Sequence, residues 1–311
     1  MTEKFTHQPV LLQEAVDALA IKADGIYIDG TFGRGGHSAL ILSQLGDVGR
    51  LIAFDQDPEA IAVAHERFAG DQRFEIVHEN FSVLGEVVKA KSLTGKVDGV
   101  LLDIGVSSPQ FDDAERGFSF SQSGPLDMRM NPQQGISAAE WLSKAEARDI
   151  ARVLRIYGEE KFANKIAFAI IDQREENPIT TTLELANIIS AVVPKKNLKK
   201  HPATRSFQAI RIYINRELEV LQETLEQVND VLAIGGRLSV ISFHSLEDRI
   251  TKRFIKKMTS EPSALHDLPI KNDDIIKPMK KIGKSIKAGE KELEKNPRAR
   301  SAVLRVAERV S

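Results

Sequence analysis

The stretch IYIDGTFGRGGH, Ile26 to His37, decides the fold. A short apolar run ends on Asp29 and breaks into a turn that holds Gly30, Gly33, Gly35 and Gly36. Glycines placed directly after a strand let the backbone approach a bound cofactor and point amide groups at it. A side chain at Gly35 or Gly36 is expected to fill the space a nucleoside needs, and the following ALILSQL reads as the helix behind such a turn. The plain alternative is a structural β-to-α turn.

Working outward, Arg50 to Phe54 (RLIAF) is a second apolar strand that ends at Asp55, and PEAIAVA opens another helix. Asp55 falls where an acidic residue grips ribose hydroxyls, while Asp57 before Pro58 is the better helix cap. A third strand, Arg73 to His78, leads to Phe81, an aromatic suited to stacking on an adenine or to ordinary core packing. A fourth, Val97 to Leu102, ends at Asp103. Open parallel sheets bind ligands at the carboxyl ends of their strands.

Strand and helix patterns thus alternate from Val10 to Asp103, which predicts an α/β fold with helices on both faces of a parallel sheet. From Ser107 to about Gln134 the chain is rich in Ser, Gly, Pro and charge and reads as a long functional loop. Ser137 to Tyr157, Glu159 to Glu176 and Thr182 to Val193 have helical apolar spacing, with Ser137 and Thr181 as N-caps. The β/α pattern resumes with a helix from Asn215 to Leu232, ended by a left-handed Gly235, and a fifth strand from Arg237 to Phe243. Lys271 to Lys295 reads as a solvated segment, and SAVLRVAE from Ser301 as a closing edge strand. The expected division is a discontinuous catalytic domain, 1–109 and 214–311, around an inserted helical domain, 110–213.

The 311 residues, 42% of them hydrophobic, suffice for a well-buried core. No run of about 18 apolar residues is present, and the opening MTEKFTHQPVLLQEAV carries charges through what would be a signal's apolar region, so a cytoplasmic protein is expected, with no membrane partner. With no cysteine there is no thiolate chemistry, and the seven histidines show no ligand spacing, so no metal centre is expected. Net charge is −1, so a polyanion must be met by a local patch.

DIGVSSPQ, Asp103 to Gln110, gathers a carboxylate, two hydroxyls, a proline and an amide. That set suits an exocyclic amine, a poor nucleophile whose N–H hydrogens must be accepted while the nitrogen lone pair localises. Asp103, or a backbone carbonyl near Ser107 to Pro109 and with it Ser108, is the candidate acceptor, and Gln110 the candidate positioning residue. The segment resembles the Asp/Asn/Ser-Pro-Pro-aromatic loops of amino-methyltransferases, with Gln110 where those loops have their second proline. His244, after the fifth strand, is a candidate substrate contact or proton acceptor, or else a structural hydrogen-bond partner.

Lys195 to Arg216 contains seven basic residues and no acidic one. Lys199, Lys200, Arg205 and Arg211 are candidate phosphate contacts, with Phe207 or Tyr213 as a stacking surface for an unpaired base.

Taken in order, GTFGRGGHS, AFDQDP, LLDIGVSSPQFDDAERGFSF, GPLDMRM, HPATRSFQAIRI, ISFHSLEDR and NPRARSAVLRVAE resemble the bacterial RsmH family, also called MraW, nearly end to end. The resemblance implies a class I S-adenosylmethionine-dependent methyltransferase, with a Rossmann-like, mostly parallel seven-stranded sheet and an inserted α-helical RNA-recognition domain. It implies methylation of N4 of one cytidine in the decoding centre of 16S rRNA, in the small ribosomal subunit. By that similarity Gly35, Gly36 and His37 line the cofactor, Asp55 holds its ribose, and Phe81, Asp103 and Gln110 complete the site. The oligomeric state, a homodimer included, is left open.

A nicotinamide dehydrogenase shares the glycine turn and Asp55, but the GxGxxG spacing is absent. A DNA amino-methyltransferase and a non-catalytic ribosome-assembly factor are the other readings, separable by methylation assays on RNA against DNA and by calorimetry with S-adenosylmethionine.

Overall fold

The computed structural model describes residues 9–194, 201–260 and 277–311. The chain divides into two compact units, Met1–Gly105 with Leu218–Ser311, and Val106–Glu217. These bounds lie a few residues outside the expected 110 and 213.

The first unit is built on a seven-stranded sheet ordered β3-β2-β1-β4-β5-β7-β6. The strands are β1 (Ile26–Asp29), β2 (Arg50–Phe54), β3 (Phe74–Val77), β4 (Val97–Asp103), β5 (Leu232–Ser242), β6 (Met279–Ile286) and β7 (Val303–Arg309). β1 to β5 run parallel, and β7 is antiparallel to both β5 and β6. In register, Tyr27 pairs with Leu51 and Ile28 with Ile52, so successive residues serve opposite faces. Tyr27, Leu51, Leu101 and Ile241 pack on one side with α1 (Leu12–Asp17) and α2 (Gly36–Gln44). Ile28, Ile52, Leu102 and Val240 pack on the other, against Leu84 and Val88 of α4 (Leu84–Ala90), which follows α3 (Pro58–Arg67) in the chain. Because both faces are covered, the central strands are apolar at nearly every position. Each fully buried aliphatic side chain contributes about 1.5–3 kcal/mol. The sheet is therefore open, mostly parallel and of α/β type, seven-stranded as expected, with β7 reversed.

The second unit holds α5 (Ser108–Asp112), α6 (Ala138–Lys144), α7 (Ala147–Gly158), α8 (Ala163–Glu176), α9 (Thr182–Val192) and α10 (Thr204–Ile214). Ser137 and Thr181 cap α6 and α9 in capping boxes with Glu140 and Glu184. The helix expected over 137–157 is two helices. Ala145 turns extended (ψ 142°), and the Arg174 guanidinium donates to the carbonyls of Leu142 and Ala145, replacing the bonds a continued helix would make. The next helix begins at Ala163 instead of Glu159, because Glu159 ends α7 in the left-handed region (φ 48°).

Three other expectations change. The segment 107–134 is no free loop. α5 and a 3₁₀ turn, Ala114–Arg116, open it, and Phe118, Leu126, Met128 and Met130 then enter the core of the second unit. Arg116, itself buried, donates to the Met130 carbonyl (2.8 Å), and Asn215 bridges the Met128 carbonyl and the Met130 amide at 2.7 Å each. α11 (Glu217–Val231) passes straight into β5, since Leu232 already pairs with Val97. Gly235, with φ +82°, therefore lies within the strand where its register shifts, and ends no helix. Lastly, β6 and α13 (Glu290–Lys295) occupy much of the expected solvated segment, and β7 is an interior strand with β6 at the edge.

Among the described residues no helix is long and apolar enough to cross a membrane. Asn215→Ala removes the side chain that serves the Met128 carbonyl and the Met130 amide and is expected to cost about 2 kcal/mol. Urea unfolding followed through the single tryptophan, Trp141, buried in the same unit, measures it, and a loss below about 0.5 kcal/mol would show the bridge to be dispensable.

Candidate active site

The carboxyl ends of β1, β2 and β4 each present an aspartate, and β5 leads into α12 (Ser245–Thr259), whose first turn adds a glutamate. Asp29 is fully buried. Its carboxylate accepts from the Thr31 amide (3.1 Å) and the Ser38 hydroxyl (2.6 Å), and burial raises its pKa. Asp55 accepts from the amides of Gly33 (2.8 Å) and Asp57 (2.9 Å), and burial pushes its pKa up to about 6. Asp57 caps α3 through the Glu59 amide, so the two aspartates divide the work as expected.

Asp103 is held by its backbone, whose amide donates to the Thr31 hydroxyl (2.7 Å). Its Oδ2 lies 3.7 Å from His37 Nδ1, and its Oδ1 is buried without a hydrogen-bond partner. Burial, then the charges of Asp29 and Glu247, raise the Asp103 pKa well above the usual carboxylate range. His37 is buried and its pKa is lowered to about 4 by desolvation, so near neutral pH it is an uncharged ring and supplies no counter-charge. Its Nε2 is likewise buried without a partner.

The glycines act differently from expectation. A Cβ at Gly35 would sit 2.7 Å from the Phe32 ring and one at Gly36 2.1 Å from Pro9, so these two make room for protein packing. Gly33 faces open space with φ +56°, and its amide holds Asp55. Gly30 admits Leu102 and Phe81, whose Cβ would lie 3.3 Å from a Cβ at position 30. Phe81 opens a 3₁₀ turn, partly buried against the sheet's core.

His244 is the N-cap of α12. Its Nδ1 accepts from the Glu247 amide (3.5 Å), its Nε2 lies 2.9 Å from Glu247 Oε1, and Glu247 accepts from the amides of Phe243 and His244. This is a structural placement, and it brings the fully buried Glu247 into the field of Asp103. Sequence reading missed Glu247 because H-x-x-E is an unusual form of the S/T-x-x-E box. It named Asp29 as a strand end without giving it a role.

Ser108 and Gln110 belong to the second unit. Both are buried in α5, and Gln110 Oε1 accepts from the Ser107 amide (3.0 Å), which commits that oxygen to the cap. In α10, Arg211 forms a two-pronged ion pair with the buried Glu217 (2.7 and 2.8 Å), so its guanidinium is occupied. Phe207 is buried against Phe120, and Tyr213 packs on Trp141, so neither offers an open face as expected for a stacking surface. Arg205 is exposed, with one hydrogen bond to the Glu159 carbonyl (3.1 Å). Lys199 and Lys200 lie outside the described residues.

A sequence profile of the MraW methylase family matches residues 4–310. The chain belongs to this family. As an MraW-family methyltransferase it uses S-adenosylmethionine as its cofactor. The buried acids suit that ligand: a sulfonium and an ammonium bring the positive charge that Asp29, Asp55 and Asp103 lack among the described residues, and the space above Gly33 is open. Among solved structures, the chain is similar to an rRNA methylase from Streptococcus thermophilus at 11% identity, covering 99% of each chain, with a TM-score of 0.45. It is also similar to a SAM-dependent O-methyltransferase from Thermotoga maritima at 10% identity, covering 99% of this chain and 69% of that one, with a TM-score of 0.43. Likenesses of this size say nothing about substrate.

Because its folded-state pKa is raised, Asp103 favours folding at low pH and opposes it once ionised. Asp103→Asn should therefore stabilise the ligand-free protein at pH 8 by about 1 kcal/mol, and the gain should shrink as pH falls and the wild-type carboxyl protonates. Thermal unfolding at both pH values tests this; an equal effect at each would refute the buried charge.

Proposed function

We propose that this MraW-family methyltransferase methylates the N4 amine of a cytidine in 16S rRNA, in the decoding centre of the small ribosomal subunit, in the cytoplasm. The observation that carries the reading is Asp103, whose buried, unpartnered Oδ1 stands at the carboxyl end of β4. The motifs from GTFGRGGHS to NPRARSAVLRVAE, in their order along the chain, support the RNA target by resemblance.

S-adenosylmethionine supplies an electrophilic methyl group on a cationic sulfur when bound. Asp55, held by two backbone amides, is oriented to accept from the ribose hydroxyls. Phe81 gives an apolar surface for the adenine, and neutral His37 remains able to donate or accept a single hydrogen bond. A bound cation nearby would favour the charged form of Asp103 over the acid, so the carboxylate would be the form that faces the substrate. That carboxylate accepts an N–H of the substrate amine and turns its lone pair toward the methyl group. The second unit, 106–217, serves as the RNA-recognition domain, with exposed Arg205 as a phosphate contact.

Asp103→Ala is expected to lower single-turnover methylation at least about 100-fold with the fold intact. Unchanged rates would remove Asp103 from the chemistry. Mass spectrometry of 16S rRNA from a deletion strain, before and after adding the protein back, identifies the nucleotide, and methyl transfer to duplex DNA alone would overturn the substrate. Arg205→Ala should lower the slope of log affinity against log salt by about 1; an unaltered slope would exclude a phosphate contact.

A further inference from the structure

Away from the acidic site, the first unit carries a cleft of about 230 Å³ between α12 and the β6–β7 edge of the sheet. Ile255, Ile282 and Val306 form its floor, and Lys252, Lys256, Lys281 and Lys284 stand around it with Arg305. Among the described residues no acidic side chain lines it. The nearby carboxylates are already taken: Asp248 pairs with Arg305, and Glu308 with Lys280 and Arg237. The four lysines are exposed. On a chain with a net charge of −1, this is a concentrated positive patch.

We propose that this cleft is a docking surface for the phosphodiester backbone of RNA, separate from the RNA-recognition role assigned to residues 106–217. The inference rests on the RNA reading above. Lysines on edge strands also blunt sheet-to-sheet pairing, which accounts for Lys281 and Lys284 but not for Lys252 and Lys256, one turn apart on a helix. Lysines are compact point charges on flexible stems, and four of them around an open cleft match a run of phosphates better than one tightly coordinated anion. Helix α12 joins the cleft to the active site. It begins at the cap formed by His244 and Glu247, and a rise of 1.5 Å per residue puts Lys256 about 18 Å along it. An RNA strand gripped there lies within a few nucleotides of the acceptor position.

The test uses the full-length protein and protein-free small-subunit rRNA, with affinity measured across a salt series. The variant replaces Lys252, Lys256, Lys281 and Lys284 with Gln. A control replaces Lys22, Lys89, Lys91 and Lys96, which lie elsewhere on the same unit. The cleft variant is expected to lose about 3 from the salt slope, near 0.7 for each phosphate released, with S-adenosylmethionine affinity by calorimetry unchanged. An unchanged slope, or an equal fall in the control, overturns the cleft and leaves the substrate reading standing. Absence of RNA binding by the wild-type protein overturns both.

Discussion

Asp103 stands near Asp29 and Glu247 with one carboxylate oxygen buried, so like charges meet where water screens them poorly, and the carboxyl edge of the sheet is organised around that cost. The neighbouring groups hold the acids in position without neutralising them. Thr31 is shared: its amide donates to Asp29, and its hydroxyl oxygen accepts from the Asp103 amide. Ser38 and Gly33 serve Asp29 and Asp55 as neutral donors. His37, whose Nδ1 lies 3.7 Å from Asp103 Oδ2, is itself too buried to carry a proton near neutral pH. A cation placed among these acids would offset part of their mutual repulsion.

The same edge shows why glycine-rich turns are easily over-read. Gly35 and Gly36 are required by Phe32, Phe68 and Pro9, hence by the packing that fixes the turn, while Gly33 is the one of these three that faces open space. What these two residues set is the shape of the backbone they permit.

Much of this was legible in the sequence. β1, β2 and β4 announce themselves as apolar runs ending in aspartate, and the boxes at Ser137 and Thr181 mark helix starts because side-chain and backbone groups satisfy each other locally. What escaped depends on distant partners. β6 is lysine-rich and reads as solvated until β7 supplies its hydrogen bonds. The polar segment 107–134 reads as a loop because Arg116, Asp127 and Arg129 look solvent-bound, yet Arg116 folds inward onto carbonyls and Arg129 onto Asp127. Arg211 looked like a phosphate ligand because Glu217, which neutralises it, sits just beyond the basic run. A charge's partner is a property of the fold, and no window of sequence reveals it.

The position of β7 sets an order of events during synthesis. Residues 106–217 form a compact unit drawn from one continuous span of chain, and a unit of that kind can begin to assemble once the span has been synthesised. The sheet cannot. β5 waits with an unpaired edge until Val303–Arg309 arrives, the register Ile241 to Leu304 closes and β6 gains its neighbour. A chain cut short before Val303 would leave β5 with an unpaired edge, the kind of edge that pairs with other chains.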